Sequence, residues 1–282
     1  MAAISDPFDE LPSNFENVPE REYNALGLVC STTSGTNDNR TEKPHNNQSD
    51  HFIITAEMRR ESRLKRMKKS VLTSARLHDE AMKATKSRFR AVMITLTYKP
   101  GEGWQSDHMS TFIRHCRQYC KRRGFKFRYV WVAEIQEKRK IRYNCKTEEA
   151  VHYHVLVWLP KGITFPKPDK QGWWPHGMTK LEWVRKSAVG YVAQYTSKGG
   201  KSDFPKGCRI CGSGGLDEAA RSERAWWMLP RWARDYWSIE DKPRRMPGGG
   251  FVSLITGEWK PSPWLVEVVS GIVQVRRVPL PT

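Results

Sequence analysis

A chain of 282 residues with 38% hydrophobic content can bury one sizeable core and a smaller appended unit, and it has no apolar run of the ~18 residues a membrane span needs. Its 48 Lys and Arg against 30 Asp and Glu give +18, unevenly: residues 1–50 hold three basic and nine acidic side chains, which leaves +24 on the remainder. A merely soluble surface needs only a small net charge, so this excess points to a polyanion, nucleic acid above all.

The acidic start MAAISDPFDELP is unlike a secretory signal, which is basic and then apolar, and a cytoplasmic location is expected. Residues 1–50, rich in Ser, Asn, Thr and Glu without apolar periodicity, read as a disordered acidic segment. Residues 51–88 follow as a basic helical segment, in which Arg59, Arg60, Lys65, Arg66, Lys68 and Lys69 are candidates for phosphate contact. RAVMITLTY (90–98) alternates as a strand, KPGEGW turns, and HMSTFIRHCRQYCKRR is an amphipathic helix stopped at Gly124. FKFRYVWVAEIQ (125–136) and VHYHVLVWLP (151–160) are two further strands joined by a long charged loop. MTKLEWVRKSAVGYVAQYTSK (178–198) reads as one helix halted by Gly199 and Gly200.

The order β-α-β-β-α predicts an α+β domain over 89–200, an antiparallel sheet with helices on one face. Residues 201–282 form a Gly- and Trp-rich helical and hairpin extension, broken at Pro230. Six cysteines in a chain this long are expected to be reduced thiols. Cys208 and Cys211 have zinc-like spacing, but no histidine follows His176 to complete a local site.

Chemistry concentrates in three stretches. On a strand, His152 and His154 share one face and lie ~7 Å apart, close enough to close on one metal ion. Imidazole suits Mn, Zn or Fe better than Mg or Ca. Glu134 is a carboxylate within an apolar strand, where a partner or a metal must offset its desolvation, and a hairpin sets it beside the histidines. Gln136 or Glu137 is the alternative third ligand. On a helix, Tyr191, Tyr195 and Lys198 fall in one stripe with Val184 and Ala188. Aromatic residues at that spacing are usually core, so the stripe gains meaning only beside the histidines. Trp226, Trp227, Trp232 and Trp237 offer base stacking, although packing is the commoner use of such residues.

VMITLTY, HYH and YVAQYTSK, in that order, resemble the three motifs of the two-tyrosine HUH endonucleases, and within them the rolling-circle replication initiators of filamentous phages. The resemblance covers about residues 88–240 and includes PKGCRICGSGGL. It implies an RRM- or ferredoxin-like palm and a divalent ion, Mn or Mg, held by His152, His154 and Glu134. It also implies a metal-dependent nickase that acts on single-stranded origin DNA in the cytoplasm of a bacterial host, alongside host replication machinery. Tyr195 is then the first nucleophile, Tyr191 the second, and Lys198 the group that favours the phenolate or holds phosphate. A two-tyrosine transposase, or a non-catalytic nucleic-acid-binding regulator, is the alternative. The insertion between Glu134 and His152 departs from the pattern and bears on the third ligand.

Overall fold

The computed structural model describes residues 51–85, 88–140, 147–185, 187–197, 204–247 and 249–278. The expectations for residues 1–50 and for Lys198 lie outside them, as do the side chains of Gln136 and Glu137. The fold is α+β, with antiparallel sheets and five helices among the described residues.

Residues 64–224 form one compact unit. Its centre is a five-stranded sheet of β2 (Phe89–Tyr98), β3 (Arg128–Lys140), β4 (Thr147–Pro160), β5 (Gly177–Trp183) and β6 (Cys211–Gly214). The spatial order is β5-β2-β4-β3-β6, so β4, which carries both histidines, is the middle strand. Its run Val155–Leu159 is fully buried, as a strand covered on both faces must be.

Helices pack on both faces, which corrects the one-face expectation. α1 (Ala56–Ala84) turns Met67, Val71, Ser74, Ala75 and His78 to the interior at i, i+4, i+7, i+8 and i+11. His78 lies 4.8 Å from the ring of Trp158, on the same face of β4 as His154. α2 (His108–Arg122) takes the other face, where Tyr98 meets His108 (Oη to Nδ1, 3.1 Å) and Trp174 meets Phe112. Alternation dictates both faces at once: a central strand has no solvent side, so every second residue still needs a cover.

The expected helix over 178–198 is two elements. Gly177–Trp183 pairs antiparallel with β2 from Tyr98 to Val92, and only Ala188–Ser197 is helical, as α3. The open edge of β2 offers backbone partners that a helix over 178–184 would leave unmet, and this overrides the helix-forming residues there. Val184 therefore is not on the tyrosine helix. Gly177 makes the pairing possible, since a Cβ there would meet the Thr97 carbonyl oxygen and the Lys99 nitrogen at 2.2 and 2.5 Å. Ser187 starts α3, its Oγ accepting from Gly190 N–H at 3.1 Å and its carbonyl from Tyr191 N–H at 2.9 Å. The charged loop before β4 is shorter than expected, because β3 runs on to Lys140 and β4 begins at Thr147.

Described residues up to Arg63 and from Ala225 form the second unit. Here β1 (His51–Ile54) pairs with β11 (Ile272–Arg277), which pairs with β10 (Trp264–Val269), the hairpin that the tail predicts. α4 (Glu218–Trp227) and α5 (Arg231–Tyr236) are separated at Pro230 as expected, and short pairings link β7 (Arg244–Arg245), β8 (Phe251–Val252) and β9 (Trp259–Lys260). Trp227 is 2% exposed, and Trp232 and Trp237 pack with Ala233 and Phe251. These three rings serve packing, which corrects their candidacy for base stacking. Trp226 is half-buried and donates from Nε1 to the Trp237 carbonyl at 2.6 Å. No helix among the described residues is long and apolar enough to cross a membrane.

Candidate functional site

Two rows of side chains cross the α1/α3 face of the main sheet. Strand register puts Lys180, Thr95, His154, Val132 and Cys211 in one row, and Met178, Thr97, His152 and Glu134 in the next. The β3–β4 hairpin thus sets Glu134 directly opposite His152. Glu134 Oε2 also reaches diagonally to His154 Nε2, at 2.7 Å. Thr95 Oγ1 lies 3.3 Å from His154 Nδ1, so both ring nitrogens of His154 have protein partners and its plane is fixed from either side. His154 is 5% exposed and Glu134 is half-buried, so the carboxylate is the wetter end of the pair.

α3 lies over this pair. The Tyr195 ring stacks on the His154 imidazole with centroids 3.7 Å apart and planes inclined at 22°, and Tyr191 sits beside it with ring centroids 5.9 Å apart. Burial holds the Tyr195 phenol well above its ordinary pKa; the hydrogen bond with Tyr191 and the negative charge of Glu182 and Glu134 add to the shift. Glu182, on β5 beside Lys180 (2.9 Å), was missed in the sequence because that stretch reads as helix. Thr95 was legible: it alternates with Thr97 in VMITLTY, as His152 does with His154.

The structure brings Glu134, His152, His154, Tyr191 and Tyr195 to one face, and the six basic residues named on α1 stand apart from that cluster in sequence and element. Arg59 and Arg66 are exposed, while Arg60, Lys65, Lys68 and Lys69 are half-buried. Among the described residues no three His, Cys, Asp or Glu side chains already surround one point. The donor set still fits a cation. Ligand atoms ~2.1 Å from a common ion at right angles lie ~3 Å apart, close to the 2.7 Å between His154 Nε2 and Glu134 Oε2. His152 stands on the neighbouring position of the same face. Cys208 and Cys211 are free thiols, the first buried with Sγ against the Arg209 carbonyl.

Residues 91–200 match the family model of the ORF2-type replication-associated proteins. The match runs from β2 to just past α3 and contains every side chain of the two rows except Cys211, together with both tyrosines. It is consistent with a phage-type rolling-circle replication initiator, the group that the three motifs resemble. No curated protein and no solved structure gives a significant match. A replication-associated family and a strongly basic chain together account for DNA as partner.

Proposed function

We propose that this replication-associated protein nicks and rejoins single-stranded origin DNA through a tyrosine on α3. The observation that carries the reading is Tyr195 stacked on His154, whose Nε2 meets Glu134. A nucleophile, an imidazole and a carboxylate meet within a few ångströms on a rigid central strand, inside the segment that matches the family.

In this reading the Tyr195 oxygen attacks the scissile phosphorus, the bond to the 3′-oxygen breaks, and that oxygen leaves as a free 3′-OH after taking a proton. The phenol gives up its own proton as the new bond forms. One phosphodiester is exchanged for a 5′-phosphotyrosine, so a later 3′-OH reverses the step without a nucleotide cofactor. Tyr191 is the second acceptor when Tyr195 already carries DNA. His152, His154 and Glu134 would hold a divalent ion, Mn or Mg, which when bound neutralises charge on the phosphate oxygens. Thr95 fixes the His154 plane, and Lys198 is assigned phosphate or phenolate contact on the resemblance alone. Host replication machinery that extends the 3′-OH, in a bacterial cytoplasm, belongs to the same proposal.

The test is incubation of the full chain with an end-labelled pool of randomised single-stranded oligonucleotides and manganese. A covalent adduct stable to SDS, mapped by peptide analysis to Tyr195 or Tyr191, is expected. No adduct with intact DNA binding would overturn the enzyme reading in favour of a binding regulator. An adduct whose DNA is joined into a duplex target favours the two-tyrosine transposase.

A further inference from the structure

The opposite face of the main sheet carries a second feature that the nicking chemistry does not use. The α2 end, the start of β3 and the β6–α4 turn enclose a groove of about 510 Å³, lined by Arg117, Lys121, Lys126 and Arg221 with no carboxylate among its lining residues. Phe125, Phe127 and Tyr129 floor it, and the last two are stacked at 4.5 Å. A neighbouring hollow of about 240 Å³ shares Arg117 and Tyr129 and adds Arg209, so the positive surface continues past α2.

The cations are held together rather than merely sharing a surface. Lys126 Nζ and Arg221 Nη1 both donate to the Leu216 carbonyl, each at 3.2 Å, so the two charges sit no further apart than the sum of those distances. Like charges this close repel unless an anion comes between them. The nearest carboxylate, Asp217, accepts from Ala220 N–H as the cap of α4. That N–H first, then Arg128 and Lys126, hold the Asp217 carboxyl below its ordinary range, and it does not line the groove. Lys121 and Arg122 also suit the C-terminal dipole of α2, but that cannot explain Lys126, Arg209 and Arg221, which come from other elements. From residue 108 to residue 132 there is no Asp or Glu at all, against seven Lys and Arg.

We infer that this groove binds the phosphodiester backbone of DNA at a point remote from the scissile phosphate. Tyr129 is five residues from Glu134 along β3, about 16 Å, and of opposite parity, so the groove and the tyrosine site lie on different faces. A strand engaged in both would be gripped around the β6 edge, which orients it at the nick. The inference rests on DNA being the partner and not on the tyrosine chemistry.

The test compares the full chain with Arg117→Ala/Lys126→Ala/Arg221→Ala, using fluorescent dT30 and a 30-base-pair duplex across a salt series. A control, Arg244→Ala/Arg245→Ala/Arg277→Ala, removes three exposed charges elsewhere. The groove variant should bind about tenfold more weakly at moderate salt than the control, with the log–log salt slope shallower by about 2, since each single-strand contact contributes ~0.7. The substrate that shows the loss identifies whether strand or duplex occupies the groove. Because Lys126 and Arg221 also anchor a carbonyl, Arg117→Glu/Lys121→Glu provides a second variant that leaves those bonds intact. Groove variants that match the control in affinity and slope on both substrates overturn the inference. Adduct formation on Tyr195 is scored separately: its absence with a working groove sinks only the nicking reading, and the converse sinks only the groove.

Discussion

The proton on Tyr195 controls what the site can do. Burial, the Tyr191 hydroxyl and two carboxylates all disfavour its loss, so the phenol stays neutral at physiological pH unless positive charge enters the site. This gives the proposed cation a role that the protein face does not fill with its own described side chains, and it separates the two tyrosines. Tyr195→Phe should abolish the covalent adduct while leaving DNA affinity intact. Tyr191→Phe should retain the first cleavage, because losing a hydrogen bond that opposes ionisation does not impede attack, but it should fail at the second transfer. The near-ultraviolet phenolate absorbance missing from Tyr195→Phe should shift to lower pH when manganese is added; if manganese leaves it in place, the cation does not act on Tyr195. Thr95 offers an independent measure of the ion site. Thr95→Val keeps the shape but removes the Nδ1 partner of His154, and should weaken manganese binding by calorimetry about tenfold. Unchanged affinity would mean that His154 needs no orientation from Thr95.

At the scale of elements, the features that survive from sequence to structure are those with a strict period. β2, the His152/His154 strand and α2 were legible because alternation or a 3.6-residue stripe leaves few options. β5 was not, since MTKLEW has a composition acceptable to a helix, and its fate was decided by the unpaired edge of β2, a partner more than eighty residues away. The short β6, CGSG, has no apolar pattern to announce it. What α1 covers was equally hidden. His78 is fully buried against Trp158, and its pKa is pushed down to about 3, by burial first and then by the positive charge of Arg128. The unfolded chain holds that proton near 6.5 and the folded one does not, so the group's contribution to stability is complete above the unfolded value. It is lost as pH falls from about 6.5 towards 3, on the order of a few kcal/mol in all. Urea midpoints should therefore drop between pH 7 and pH 4, and His78→Phe, which cannot be protonated, should flatten that decline. An equal decline in the variant would place the acid sensitivity elsewhere.

For the whole molecule, charge is the property that sequence and structure treat most differently. The sequence supplies a total, +18 with the acidic first fifty residues and +24 without them, but a total cannot distinguish a solubility surplus from a binding surface. The structure distributes it: exposed Arg59 and Arg66 on α1, a cluster of cations where α2 meets β3, and an α1/α3 face on which the carboxylates Glu134 and Glu182 sit close to the tyrosines. If the surplus binds DNA, affinity must fall steeply with salt, because each phosphate neutralised releases condensed counterions. The log–log slope for dT30 should then exceed about 2 in magnitude, corresponding to at least three single-strand contacts at ~0.7 each. The adduct yield at saturating DNA should be far less sensitive, since the tyrosine chemistry takes place after binding and between groups in contact. A slope shallower than about 1 would leave room for no more than one contact, and the excess of Lys and Arg would then be a property of solubility alone. A yield that falls in parallel with affinity even at saturation would instead place salt-sensitive contacts at the scissile phosphate itself.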